Sequence, residues 1–134
     1  IYIIGRGLSY PVAREIALKI KEISYIHAEG MMGGELKHGT LALIEEGTPV
    51  IGLINGNKHI LSNISEAAAR GARIIAITNK DVDYNDKIIV SAEDDASFSI
   101  LTTIIGQLLT YYIAKERGLP VDKPRSLAKS VTVL

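Results

Sequence analysis

The sequence lacks cysteine, an excess of charge of either sign and any long apolar run. Without cysteine the chain cannot form a disulfide framework, a thiolate nucleophile or a cysteine-based zinc site. Its 15 basic and 15 acidic residues cancel, and no lysine and arginine cluster forms the positive stripe that nucleic-acid binding needs. No apolar run reaches the roughly 18 residues that span a bilayer, and we expect no signal peptide before the fold. We therefore expect a cytoplasmic protein with no nucleic-acid or membrane partner.

The chain is long enough for one ordinary domain, with 134 residues of which 47% are hydrophobic. Its first residues, IYIIG, resemble the inside of a strand and include no initiator methionine. We expect the chain to be an excised piece of a longer protein. We divide it into a domain at residues 1–118 and a C-terminal tail at residues 119–134.

Short apolar runs bounded by turn residues alternate with longer amphipathic segments, a pattern typical of a parallel sheet covered by helices on both faces. The predicted strands are residues 1–5, 26–29, 49–54, 73–78 and 87–90. The predicted helices are residues 10–25, 34–38, 58–70 and 97–117. The predicted fold is an α/β three-layer sandwich with a five-stranded parallel sheet of flavodoxin-like type. Ligands bind beyond the carboxyl ends of such strands, which here lead into the loops at residues 5–9, 55–57 and 79–81.

Three charged residues of the first predicted helix, Glu15, Lys19 and Glu22, share one face. The core stripe of this helix is predicted to be Ile16, Ile20 and Ile23. The charged face has two interpretations. It is either a solvated ladder of ion pairs at i,i+3 and i,i+4 spacing, or it holds a half-desolvated Glu22 that abstracts a proton next to a carbonyl with help from Lys19.

Two glycine-containing motifs also leave alternatives open. GRGLSYP after the first strand is either a tight turn that needs positive φ or a helix N-terminus that binds phosphate. In HAEGMMGGELKHG, His38 is either an exposed or capping imidazole or a group that moves protons near neutral pH. Glu35 and His38 have a metal-ligand spacing, but the sequence offers no second such pair, so we expect no metal site.

The C-terminal stretch LPVDKPRSLAKSVTVL is too apolar for a free tail, and its two prolines exclude a continuing helix. We expect it to lie along another surface. Lys129 within it is either a lysine whose stem packs on apolar surface or an amine of lowered pKa that forms a Schiff base with a carbonyl.

Three segments, GRGLSYPVAREIALKIKEISYIHAE, GELKHGTLALIEEGTPVI and DKPRSLAKSVTV, resemble in order the C-terminal sugar-isomerase (SIS) domain of the glutamine-fructose-6-phosphate aminotransferase family. The resemblance covers essentially the whole chain. It departs from the usual family pattern at a few positions, where Ile16 replaces glycine, GMMG at residues 30–33 replaces AYAA, and Ser126 replaces asparagine.

The resemblance implies an enzyme that converts fructose 6-phosphate and glutamine-derived ammonia to glucosamine 6-phosphate without metal or organic cofactor. It implies that Glu22 moves the proton between C1 and C2, with assistance from Lys19. His38 would open the sugar ring in the site of a neighbouring subunit. Lys129 would form the Schiff base, and Ala128 would line the sugar pocket.

The family resemblance also implies partners. These are a first SIS domain, a glutaminase domain and a second copy in a homodimer. The alternatives are a non-catalytic phosphosugar-binding module and a related sugar-phosphate deglycase or isomerase.

Overall fold

The structure is a computed structural model that describes residues 1–126. Its strands are β1 Tyr2–Gly5, β2 Glu29–Met32, β3 Pro49–Ile54, β4 Arg73–Thr78 and β5 Asp86–Ile89. Its α-helices are α1 Ser9–Ser24, α2 Lys58–Ala68 and α3 Asp95–Glu116, and two short 3₁₀ helices span Gly33–His38 and Thr40–Leu43. The predicted element order is confirmed, with the second 3₁₀ helix as an addition.

All five strands are parallel and lie in the order β2-β1-β3-β4-β5. This is the flavodoxin-like arrangement that the sequence predicts. β1 contributes Ile3 to one apolar core and Ile4 to the other, because successive side chains of a strand point to opposite faces. The core of Ile3 contains residues of α1 and α3, and that of Ile4 contains residues of α2 and the first 3₁₀ helix. The fold is therefore the predicted three-layer sandwich.

The prediction of the second strand at residues 26–29 is wrong. The structure shows it at Glu29–Met32, where Glu29 is in register with Tyr2 and Met32 with Gly5. The preceding residues are needed to bring the chain from the end of α1 back to the edge of the sheet. Pairing with β1 therefore determines where β2 begins, and the local sequence pattern does not predict this position.

Helix α3 begins two residues earlier than predicted because Asp94 caps it. The Asp94 side chain accepts a hydrogen bond from the Ser97 backbone N–H at 2.8 Å, and the Ser97 hydroxyl lies 3.3 Å from the Asp94 backbone N–H. This reciprocal capping box satisfies free N–H groups at the start of the helix. Gly118 follows the helix with φ 66°, as expected for the glycine that ends it.

Helix α3 is long and apolar enough to cross a membrane by length and composition, although its apolar residues do not form an uninterrupted run. One such helix is weak evidence, because helices of soluble proteins pass the same test. α3 packs along α1, with Gly106 directly against the side chain of Ile16. The glycine therefore leaves room for the Ile16 that departs from the family pattern.

The turn between β1 and α1 uses its two glycines for different reasons. Gly7 has φ 55°, in the left-handed region that favours glycine. Gly5 lacks room for a side chain, since a Cβ there would collide with the backbone carbonyl of Ser9. Backbone cannot yield in the way that the end of a flexible side chain can. GRG is therefore a close-packed turn, and its phosphate-binding interpretation stays a prediction.

We expect Gly5→Ala to lower the free energy of unfolding by about 2 kcal/mol, the usual cost of overpacking a well-packed site. Gly34→Ala is the matched control, because its Cβ would meet only the Arg6 Nη1 atom at 3.4 Å. Urea unfolding of both variants measures the difference. Equal stabilities of the two variants would contradict the close approach of Ser9 to Gly5.

Candidate functional site

The charged face of α1 forms as the helical spacing predicts. Lys19 Nζ donates a hydrogen bond to Glu22 Oε2 at 2.7 Å and lies 3.5 Å from Glu15 Oε1. The side chains of Lys19 and Glu22 are 32% and 28% exposed, while that of Glu15 is 43% exposed. Glu22 is thus the more desolvated carboxylate of the two and the one held at short distance.

The buried stripe of α1 differs from the predicted one at its C-terminal end, and this difference determines how far the charged face is buried. Ile16 and Ile20 are buried as expected, but Ile23 is only partly buried and Ser24 takes the inner position. The Ser24 hydroxyl donates to the Ile20 carbonyl, which satisfies it within the helix. Leu18, one residue before Lys19, is 41% exposed. Glu22 therefore lies at the margin of the core.

The hydrogen bond from Lys19 to Glu22 raises the pKa of Lys19 above its ordinary value of 10.5, and the charge of Glu15 adds to the shift while partial burial opposes it. Lys19 therefore stays cationic throughout the physiological range. Of the two Glu22 oxygens, Oε2 accepts the hydrogen bond from Lys19, and no residue among 1–126 donates a hydrogen bond to Oε1. Such a carboxylate can accept a proton from a bound molecule through Oε1 while Lys19 fixes its orientation.

His38 lies at the opposite end of the sheet from Glu22. It is the exposed last residue of the 3₁₀ helix that follows the carboxyl end of β2, and Gly39 after it has φ 145°. α1 runs antiparallel to the strands it connects, so its last turn, with Glu22, lies toward their amino ends. The structure therefore does not bring Glu22 and His38 together within one chain.

The loops predicted at the carboxyl edge of the sheet are polar. Asn55 Nδ2 donates to Asp95 Oδ1 at 2.9 Å, and Arg6 Nη1 lies 3.4 Å from Asn63 Oδ1. Among residues 1–126, the buried side-chain oxygens without a hydrogen-bond partner all belong to these loops or their borders, namely Ser9 Oγ, Asn55 Oδ1 and Asn79 Oδ1. Of the proposed reactive residues that the structure describes, only His38 shares this edge.

Lys129 and Ala128 lie outside the described residues. The described chain leads toward α1, where the Arg125 backbone N–H donates to Tyr25 Oη at 2.8 Å. The Arg125 guanidinium lies over the Tyr25 ring, 4.1 Å from its centroid. Sequence reasoning missed this contact because its partners are 100 residues apart and neither stands in a recognisable local pattern.

The Lys19 titration is testable. We expect Glu22→Gln to lower the pKa of Lys19 more than Glu15→Gln does, because the Glu22 hydrogen bond is the largest cause of the raised value. NMR titration of the Lys19 side-chain resonances measures both. The raised pKa stabilises the fold below pH 10.5, and this contribution is lost as pH rises through the folded-state pKa. A larger effect of Glu15→Gln would contradict the observed geometry.

Comparison with known proteins places this fold in a family. The SIS domain profile matches residues 1–114. Curated relatives include the glutamine–fructose-6-phosphate aminotransferases (isomerizing) of Lactiplantibacillus plantarum, 52% identical over 98% of this chain, and of Bacillus spizizenii, 53% identical over 98%. The chain spans only 22% and 23% of the length of those two proteins.

Solved structures agree with the sequence relatives. The C-terminal domain of glucosamine-fructose-6-phosphate aminotransferase from Francisella tularensis matches with a TM-score of 0.83 and 40% identity, over 91% of this chain and 37% of that one. Tagatose-6-phosphate ketose/aldose isomerase from Escherichia coli shares the fold, with a TM-score of 0.81 at 21% identity, over 98% of this chain and 40% of its own. The chain belongs to the SIS domain family, in the form found in the C-terminal part of glutamine–fructose-6-phosphate aminotransferases.

Proposed function

We propose that this chain is the second, C-terminal SIS domain of a glutamine–fructose-6-phosphate aminotransferase. In this proposal it binds fructose 6-phosphate and takes part in its conversion to glucosamine 6-phosphate with ammonia from glutamine. One structural observation carries the proposal: Lys19 holds a partly desolvated Glu22 at 2.7 Å. The identity of about 50% to these aminotransferases across 98% of the chain supports it.

Glu22 is proposed as the base that moves a proton between C1 and C2 of the sugar. Converting a ketose derivative to an aldose derivative removes a proton from C1 and adds one at C2, so a single carboxylate above both carbons can carry out both transfers. Lys19 keeps that carboxylate oriented through Oε2. We assign Lys19 an assisting role for this reason.

His38 and Lys129 are proposed to supply the remaining chemistry. An imidazole near neutral pH can open the sugar ring by moving protons between its hydroxyl and ring oxygen. The amine of Lys129 would add to the C2 carbonyl, and the carbinolamine would lose water to give a Schiff base. Ammonia would then add at C2 and release the lysine amine, and Ala128 would line the pocket. The distance of His38 from the Glu22 end of the sheet supports its action in the site of a neighbouring subunit.

The proposal includes partners and a location. Since the chain spans 22% to 23% of the length of its aminotransferase relatives, we propose a parent chain with a first SIS domain and a glutaminase domain. We further propose a cytoplasmic homodimer, a reaction without metal or organic cofactor, and a division into the SIS domain at residues 1–118 and the tail at residues 119–134. On this proposal the isolated chain holds part of the site and does not synthesise glucosamine 6-phosphate from glutamine.

In the full-length protein we expect Glu22→Gln to lower kcat about 100- to 10,000-fold with KM for fructose 6-phosphate nearly unchanged, because the amide retains size and loses the base. Glu15→Gln is the matched control. Glu15 lies on the same face and contacts the same lysine, but at 3.5 Å and with greater exposure. Steady-state kinetics of both variants measure the effect, and a Glu22→Gln enzyme as active as Glu15→Gln would contradict the assignment.

Trapping tests the proposed Schiff base. We expect borohydride reduction of the full-length protein in the presence of fructose 6-phosphate to leave a covalent sugar on Lys129. Peptide mass spectrometry locates this adduct. The adduct should be absent in Lys129→Ala. Lys123→Ala is the control, since Lys123 is an exposed lysine of the same tail. A protein that binds the sugar equally well with and without Lys129, and traps none, would instead be a phosphosugar-binding module.

A further inference from the structure

The described part of the tail returns to the end of α1 and is held there by one side chain. Tyr25, the residue after the last turn of α1, contacts Arg125 in two ways. Its hydroxyl accepts the Arg125 backbone N–H at 2.8 Å, and its ring carries the Arg125 guanidinium at 4.1 Å. We call this pair of contacts the tail clasp.

The backbone at the clasp is unusual. Among residues 1–126, the non-glycine residues with positive φ are Tyr25, at 58°, and Ser126, at 56°. A left-handed conformation carries an energetic cost for an ordinary L-residue, which glycine avoids and asparagine tolerates better. Both residues that bear this cost belong to the clasp or adjoin it. A tyrosine at a helix end where glycine or asparagine is the usual choice indicates that its side chain is used.

Each residue of the tail clasp lies close in sequence to a proposed reactive residue. Tyr25 is three residues beyond Glu22, and Arg125 is four residues before Lys129. An open depression of about 380 Å³ adjoins it, lined by Lys21, Tyr25, Ile26, His27 and Arg125. The clasp therefore ties the segment that leads to Lys129 to the helix that carries Glu22.

We propose that Tyr25 is a positioning residue that holds the tail so that Lys129 reaches the sugar bound beside Glu22. This inference rests on the proposed function. The hydroxyl and the ring act on different parts of Arg125: the hydroxyl restrains its backbone, and the ring restrains its guanidinium. Together the two contacts fix Arg125 against the end of α1, and holding a chain in position is one way to raise the rate of a covalent step.

The clasp has a readout that is independent of catalysis. Trypsin cleaves after arginine, and cleavage after Arg125 requires its guanidinium to leave the Tyr25 ring. We expect Tyr25→Asn to release the peptide that begins at Ser126 about tenfold faster, from loss of one hydrogen bond and one cation–π contact. Asparagine suits the left-handed backbone, so α1 should keep its end. Tyr25→Phe, which keeps the ring alone, should lie between Tyr25→Asn and the unsubstituted protein.

The functional readout uses the full-length protein, fructose 6-phosphate and borohydride. We expect Tyr25→Asn to reduce the rate of trapping at Lys129 about tenfold and to lower kcat with a smaller change in KM, with Tyr25→Phe restoring part of the loss. Arg125→Lys is a second variant that leaves Tyr25 intact. It removes the planar group that stacks on the ring and retains the charge, and should also slow trapping.

The matched control is Tyr10→Ala. Tyr10 lies in the first turn of α1 and also contacts an arginine, with Arg14 at 6.0 Å from its ring centroid. We expect this change to leave both cleavage after Arg125 and trapping at Lys129 unaltered. Unfolding midpoints of all variants confirm that they are folded under the assay conditions.

The outcomes distinguish a failure of the positioning role from a failure of the proposed function. Faster cleavage together with slower trapping in Tyr25→Asn supports the positioning role. Unchanged cleavage, or faster cleavage with unchanged trapping, overturns that role while the Schiff base at Lys129 stands. If the unsubstituted protein traps no sugar at Lys129, the proposed function fails, and the positioning role fails with it.

Discussion

The direction of α1 across the sheet is the constraint on which the arrangement of the candidate residues depends. A helix that links two neighbouring parallel strands must run back against them, so its last turn lies toward their amino ends. This places Glu22 at one end of the molecule, while His38, which follows a strand directly, lies at the other. Within one domain of this topology the two residues therefore lie apart. This separation supports the site shared between subunits that we propose.

The close packing of α1 depends on small residues at specific points. The absence of a side chain allows close approach at three glycines: the Ser9 backbone packs on Gly5, the Ala13 backbone on Gly30, and the Ile16 side chain on Gly106. These contacts fix the helix on three sides, against β1, β2 and α3. A helix held in this way presents Glu15, Lys19 and Glu22 in one orientation relative to the sheet. The ion pairs on that face contribute little energy, only a few tenths of a kcal/mol each in exposed helices, so packing positions the face and the ion pairs refine it.

The charged face also shows why one geometry can serve both stability and chemistry. The ladder that the spacing predicts is present, and so is the partial burial that favours a functional role for Glu22. The two interpretations of the sequence are therefore compatible in structural terms. Lys19 is the common element, because its ammonium group contacts both carboxylates and its pKa is raised above the ordinary value. A fixed positive charge beside a carboxylate limits the orientations that the carboxylate can adopt.

The sequence by itself determined the order of the elements, the parallel sheet, the ladder on α1 and the family. These depend on local periodicity or on motifs of adjacent residues, which one chain displays directly. Only the tertiary structure decided where β2 begins and that Gly5 is required for close packing while Gly7 is required for its positive φ. It also decided that Glu22 and His38 lie at opposite ends of the sheet and that Tyr25 contacts Arg125. The start of β2, the separation of Glu22 from His38 and the contact between Tyr25 and Arg125 depend on how distant parts of the chain pack, and the crowding at Gly5 depends on how α1 meets the end of β1. Such contacts follow from strand register and helix direction, which no local pattern encodes.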